Sequence, residues 1–550
     1  MKKIIAVGMS LWLIVFSAQA GEESIYLKIN RGMDIFGKVY KEIATGYVDT
    51  IDPEKFMRAG IDGMLETLDP YTVFMDDKEG DEIELITHGE YGGVGITIGI
   101  REGSIIVLAP MDGYSAQKQG IRAGDRIMEI NDEEISGTLA NPDSVRSRVR
   151  GEPGTTVRVK VDREGVAKPL EFVLVREQIQ VNNVTYSGYM KSGVGYIRLD
   201  RFSRRAGDEI KQAIREFQLR GNLHGIVLDL RDNPGGLLEA AVEVVSAFLP
   251  QGSTIVTTKG RRASEEKVYR VETEPIAPDV PLVVLVNKGS ASASEIVAGA
   301  LQDLDRAVII GTRSFGKGLV QTVTPLTYNA TLKLTTARYY TPSGRSIQEV
   351  DYVHKGKDGV FQNIPDSLKH NYATSHGRIV RDFGGIMPDS VVEEHVKSSY
   401  YDELMQSAAI FKYATHYVAN HPSVREDFTI GDDIVSEFET YLTSQNYTYQ
   451  DETEKKLVAM KEAMNREHYS DDAFAILDTF AKQIEREKKT VFARNKHEVK
   501  EEIDIELHAR YFGEKGRITT ALKYDKQAQT AGSILEARPV YDRILKNGRK

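Results

Sequence analysis

The 550-residue chain contains no cysteine, which excludes a disulfide scaffold, a zinc ribbon and a thiol nucleophile together. Proline is sparse at 17 residues and the hydrophobic fraction is 41%, so collagen-like and disordered classes do not fit. Basic residues are in deficit. With 71 Lys and Arg against 81 Asp and Glu, the net charge of −10 argues against a nucleic-acid partner, which would need a basic footprint. The 11 histidines are scattered and none forms H-E-x-x-H. The nearest cluster, His497 with Glu501, Glu502 and His508, reads as a solvated helix, so neither a metal nor another cofactor is expected. No G-x-S-x-G elbow occurs, and an S-x-x-K match from Ser264 to Lys267 sits in a charged stretch without companion motifs. Length, by contrast, is ample for three or four units.

What is present begins with an N-terminal segment unlike the rest. Lys2 and Lys3 precede an apolar run from Ile4 to Phe16, and Ala18-Gln19-Ala20 places small residues at −3 and −1. This is the layout of a cleavable secretory signal over residues 1–20, so an exported, periplasmic protein is expected, an uncleaved anchor being the alternative. The sole tryptophan, Trp12, lies inside it. Residues 21–85 read as helical, with Asp52-Pro53-Glu54 opening one helix. Residues 86–176 are Gly-rich and strand-like. Residues 177–394 alternate apolar strands with helices, as in a sheet covered on both faces, which gives an α/β core. Residues 395–550 are helical and charged. Two apolar stripes there, Ile434/Phe438/Tyr441/Leu442 and Ile476/Leu477/Phe480/Ile484, are expected to pack in a core.

Without cysteine or a metal motif, a hydrolase would need Ser, Thr or Lys as its reactive group. The segment VNKGSASASEIVAGAL (286–301) runs from a buried strand through small residues into a helix, whose first N–H groups are free to stabilise an oxyanion. The residues alone do not choose among Ser290, Ser292 and Ser294. In TRSFGKGLVQ (312–321), Lys317 lies between two glycines, where desolvation could make it a base, and Gln321 four residues on could orient the amine. A third element, LDLRDNPGGLL (228–238), could donate further N–H groups from a Pro-Gly-Gly turn.

Together these three elements resemble the C-terminal processing peptidases, tail-specific serine proteases of the S41 family. TTARYYTPSGRSIQ (335–348) and GGIMPD (384–389) match as well. The resemblance covers roughly residues 40–390. It implies Ser292 as nucleophile, Lys317 as general base and Gln321 as its orienting partner. It also implies an oxyanion hole from the N–H of Ala293 with that of Gly235 or Gly236. GEYGGVGITI followed by AGDRIMEIN resembles a PDZ domain, in which an edge strand and a loop capture a peptide C-terminus. That likeness assigns the carboxylate-binding loop to Gly92, Gly93, Val94, Gly95 and Ile96, and ligand sensing to Arg150. The expected architecture is therefore a multidomain α/β serine protease core with an inserted PDZ domain and helical N- and C-terminal regions. Expected partners are protein or peptide substrates with accessible C-termini, and an adaptor or a second copy through the helical tail. A PDZ-based scaffold and a tricorn-like peptide trimmer are the rival functions.

Overall fold

The computed structural model describes residues 25–76, 89–136, 141–190, 193–355, 360–425, 427–449 and 452–547. The expected signal segment lies outside them. The chain divides into two units, Met1–Asp77 with Gln321–Thr335, and Lys78–Val320 with Thr336–Lys550.

In the first unit, helices Ile25–Gly46 and Pro53–Leu65 follow each other. The second starts where the sequence signals it: the Asp52 carboxylate caps the N–H groups of Glu54 and Lys55, and Pro53 occupies the first turn. The Tyr40 and Phe56 rings stack at 5.7 Å between centroids. Strand Val73–Met75 pairs antiparallel with residues 331–333.

The second unit is built on a six-stranded sheet in the order Val184–Tyr189, Val194–Leu199, Gly225–Asp229, Leu282–Val286, Val308–Gly311, Ser390–Val391. The first pair is antiparallel and the rest are parallel. Side chains on these strands alternate between faces. Leu282, Val284 and Val286 join helices Ala206–Arg220, Leu238–Ser246 and Ala293–Asp303 in one apolar core, with Ile210, Ala213, Ile214 and Phe217 buried as their periodicity predicts. Val283 and Leu285 face the other way. They are covered by Ile518, Ala528, Ala531, Ile534, Leu535 and Tyr541 from the C-terminal tail.

The tail packs directly on this sheet. Its helix Lys526–Glu536 is the second covering layer of the sheet. The remainder of the tail forms its own core around Tyr413, Phe438, Leu442, Val499 and Ile503. Of the two expected stripes, Ile434/Phe438/Leu442 is buried with Tyr441 packed against it. The other departs from expectation: on helix Asp471–Lys488, Ile476 is 70% and Phe480 49% exposed.

Also in the second unit, residues 96–175 form a sheet ordered Ile96–Arg101, Ser104–Pro110, Arg126–Ile130, Thr156–Asp162, Leu170–Val175, with helix Pro142–Val149 beside it. Its core is Val94, Ile105, Val107, Val145, Val157, Val159 and Leu174. The Gly124-Asp125 turn is fixed by the buried Asp125 carboxylate, which accepts the Arg163 guanidinium at 2.7 Å and the Arg122 N–H at 2.8 Å.

Candidate active site

Two loops and one turn converge on the start of helix Ala293–Asp303. Ser290 Oγ donates to Leu230 O at 2.7 Å, and Ser294 Oγ donates to Asn233 O at 2.9 Å; both serines are fully buried. Ser292 differs. It is half-buried and caps the helix with φ +55° and ψ −111°. Those angles lie near the first central position of a type II′ turn, which favours glycine. Holding a serine there costs roughly 1–3 kcal/mol and needs a surrounding that dictates it. The three serines left equal by the residues alone are thus separated: two anchor the loop, and the third stands at a strained apex.

Glu295 supplies much of that restraint. Its Oε2 accepts the N–H of Ser292 and the N–H of Lys317, both at 2.9 Å. Its Oε1 accepts the Gly316 N–H at 2.7 Å and the Ser314 hydroxyl at 2.5 Å. Two carboxylate oxygens so occupied use all of their acceptor capacity. The carboxyl is completely buried, and loss of hydration pushes its pKa up to about 7 despite the four donors, which pull it down. Tyr339 works from the other side. Its hydroxyl donates toward the carbonyl oxygens of Ser292, at 3.1 Å, and of Lys317.

The Pro-Gly-Gly turn presses against Ser292. A Cβ added to Gly235 would stand 2.9 Å from both Ser292 Cβ and Ala293 N, and Gly235 adopts φ +100°. Asn233 organises this turn: its side-chain amide donates to Leu199 O at 2.7 Å, and its Oδ1 accepts the Gly235 N–H at 2.9 Å. Of the two glycine N–H groups expected to face an oxyanion, Gly235 is therefore turned to Asn233. Gly236 has no acceptor for its N–H among the described residues, and Ala293, as the first helical residue, has none within its helix.

The two outlying motifs buttress the same place. Ile386 and Ser314 pair, the Ile386 N–H donating to Ser314 Oγ at 2.7 Å, which fixes the loop carrying Gly316 and Lys317. Arg345, buried, donates to Asp303 Oδ1 and to Gln302 Oε1, both at 2.8 Å, at the far end of the serine helix. Ser292, Ala293, Lys317, Gly235 and Gly236 are thus brought into one neighbourhood. Gln321 belongs to the first unit, where its Nε2 donates to Thr335 Oγ1 at 3.1 Å and Thr335 Oγ1 donates to Asp69 Oδ1 at 3.1 Å.

In the loop expected to meet a peptide C-terminus, Gly92 and Gly93 pair with Gln178 and Glu177 in a two-stranded ribbon. Gly92 must lack a side chain, since a Cβ would meet Gly151 O at 2.1 Å. Val94 is core, Gly95 turns with φ +76°, and Ile96 begins a strand at the sheet edge. The Arg150 guanidinium lies 4.7 Å over the Tyr91 ring.

Sequence reasoning gave no role to Glu295, Tyr339 or Asn233. For Glu295 a signal existed: a Glu three residues beyond a serine at a helix start is capping-box spacing. For Tyr339 none did, because it reaches the site from a distant strand, Thr331–Tyr340.

Residues 193–354 match the model of peptidase family S41, and residues 93–163 that of the PDZ domain. Residues 16–79 match the "Activating protease CtpB N-terminal domain", and residues 400–535 the "Probable PDZ-protease, C-terminal helical domain". The chain is 42% identical over 332 residues to a carboxy-terminal-processing protease of Bartonella bacilliformis, covering 60% of this chain and 74% of that one. It is 33% identical to carboxy-terminal processing protease CtpB of Bacillus subtilis over 62% of this chain and 68% of that one. Among solved structures, the photosystem II D1 C-terminal processing protease aligns with 27% identity and a TM-score of 0.35, over 68% of this chain and 96% of that one. The chain belongs to the carboxy-terminal processing proteases, serine-type peptidases of family S41 that carry a PDZ domain.

Proposed function

We propose that this peptidase is an exported endopeptidase, acting in the periplasm, that cleaves through a Ser292–Lys317 dyad on proteins presented by their C-terminal tails. Neutral Lys317 takes the proton of Ser292 Oγ as that oxygen attacks a peptide carbonyl. The oxyanion is held by the N–H groups of Ala293 and Gly236, and protonated Lys317 returns its proton to the leaving amine. Water then cleaves the acyl-enzyme. The observation that carries this reading is Ser292 itself: the one serine of three whose hydroxyl is not tied to a backbone carbonyl among the described residues, at a strained helix start beside the Pro-Gly-Gly turn.

The PDZ unit supports tail recognition through its geometry. Ile96–Arg101 is an edge strand, so its outer N–H and C=O groups can pair with an extended peptide between it and helix Pro142–Val149. The carboxylate would be met by the Gly92–Ile96 loop, with Arg150 sensing occupancy through Tyr91. The exposed Ile476 and Phe480 of the helical tail would serve an adaptor or a second copy. The test compares cleavage of an unfolded protein by the wild type, Ser292→Ala and Lys317→Arg. Arginine keeps the charge but does not deprotonate, so both variants should lose activity equally. Near wild-type cleavage by Lys317→Arg rejects the dyad. Amidation of the substrate's C-terminus should raise KM, and an unchanged KM rejects the PDZ role.

A further inference from the structure

Ser292 and Lys317 reach the site on different loops, 25 residues apart, joined by the Phe315 N–H donating to Ser290 O at 3.0 Å and, among the described residues, by no strand pair. Both nonetheless have their backbone polar groups gripped by the same two side chains. Glu295 Oε2 accepts the N–H of each at 2.9 Å, and the Tyr339 hydroxyl donates toward the carbonyl of each. Glu295 is on the serine helix itself, one turn in. Tyr339, 1% exposed, is on the strand Thr331–Tyr340 and is anchored in the main apolar core. The pair therefore ties the two peptide groups to one helix and one strand.

We infer that Glu295 and Tyr339 are positioning residues that set the distance between nucleophile and base, and so govern the chemical step without touching substrate. The inference rests on the dyad reading above. Its physical basis is the steep dependence of proton transfer on geometry: a displacement of about 1 Å costs roughly 100-fold in rate. Loss of either grip lets one loop shift relative to the other. It should lower kcat and leave KM alone, because no peptide-binding group has moved.

Glu295→Gln is the discriminating variant. Its shape is conserved, but its amide nitrogen turns donors toward N–H groups that need an acceptor, opposing two of the four bonds. Tyr339→Phe keeps the buried ring and removes only the hydroxyl. For the full-length protein, the measurements are kcat and KM on an unfolded protein substrate, the rate of labelling by a fluorophosphonate probe, and the thermal midpoint. The expected result for Glu295→Gln is a fall in kcat and in labelling rate of roughly 100-fold at constant KM, with partial recovery in Glu295→Asp. Tyr339→Phe should show the same pattern at roughly 10-fold. Unchanged kcat per labelled serine in a folded Glu295→Gln overturns the inference, as does a loss that appears only in KM. If Glu295→Gln does not fold, Tyr339→Phe decides, and unchanged kcat there overturns it equally. Ser292→Ala and Lys317→Arg run in parallel: should either remain active, the dyad has failed rather than the clamp.

Discussion

Arg231 and Asp525, 294 residues apart, are joined at 2.5 Å between Nη2 and Oδ2. The same guanidinium holds the buried Asp229 at the end of a central strand and donates to Gln527 Oε1 at 2.9 Å. Asp525 also caps helix Lys526–Glu536 by accepting the Ala528 N–H at 2.9 Å. One arginine, two residues before Asn233, thus ties the helix covering the sheet to the strand end that leads into the Pro-Gly-Gly turn.

That tie predicts what happens when the tail is shortened. Ending the chain at Tyr524 would bare Tyr196, Val227, Val283 and Leu285, an apolar face that must be covered. The truncated protein should be insoluble or unfolded, whereas Asp525→Ala should stay folded and lose roughly 1–3 kcal/mol. Chemical denaturation measures both, and a stable, active truncation at residue 524 contradicts this assignment of the tail.

The turn itself tolerates no side chain. Gly235→Ala would put a Cβ 2.7 Å from Ala291 O and 2.9 Å from Ala293 N, at a φ of +100° that alanine resists. Relief requires moving the Ser292 loop. Peptidase activity should fall at least about 100-fold, because displacement of the reacting groups by even 1 Å has that effect. Wild-type kcat in Gly235→Ala would contradict the proposed role of the Ser292 loop in the reaction.

Burial of Glu295 has a signature in stability against pH. Its pKa rises from 4.5 to about 7 in the folded chain because burial disfavours the charged form. The folded state therefore binds the proton more tightly than the unfolded state. Its contribution is fully present below pH 4.5 and lost as pH climbs through about 7, a swing of roughly 3 kcal/mol at most. Denaturation midpoints of the wild type should fall relative to Glu295→Gln across that window. A wild type that gains on the variant as pH rises contradicts a buried, proton-hungry carboxyl.

Export has an optical test. If residues 1–20 are removed, the only tryptophan leaves with them. Protein recovered from the periplasm should begin at Gly21 and lack tryptophan emission, and intact Trp12 emission there would contradict signal cleavage.

Much of this architecture was legible before any coordinates. The run 282–286, LVVLV, is apolar without polar interruption, as a short strand buried on both faces requires. Asp52-Pro53 marked a helix start because a carboxylate and a fixed φ are what that position needs. Less legible was which surfaces meet. The stripe of Lys526–Glu536 reads as apolar whether it covers a sheet or another helix, and Ile476 and Phe480 carry the same period although they face solvent. In the candidate site, the motifs singled out the loops that carry Ser292 and Lys317. Tyr339 was invisible because its role depends on where a strand ends in space, and Gly235 and Gly236 were separated only by the side chain of Asn233.

The central claim, that Ser292 attacks and Lys317 activates it, is tested most directly by mapping a fluorophosphonate adduct on the purified full-length chain by mass spectrometry. The account predicts an adduct on Ser292, formed about 1,000-fold more slowly in Lys317→Arg. An adduct on Ser290 or Ser294, or an undiminished rate in Lys317→Arg, would contradict it.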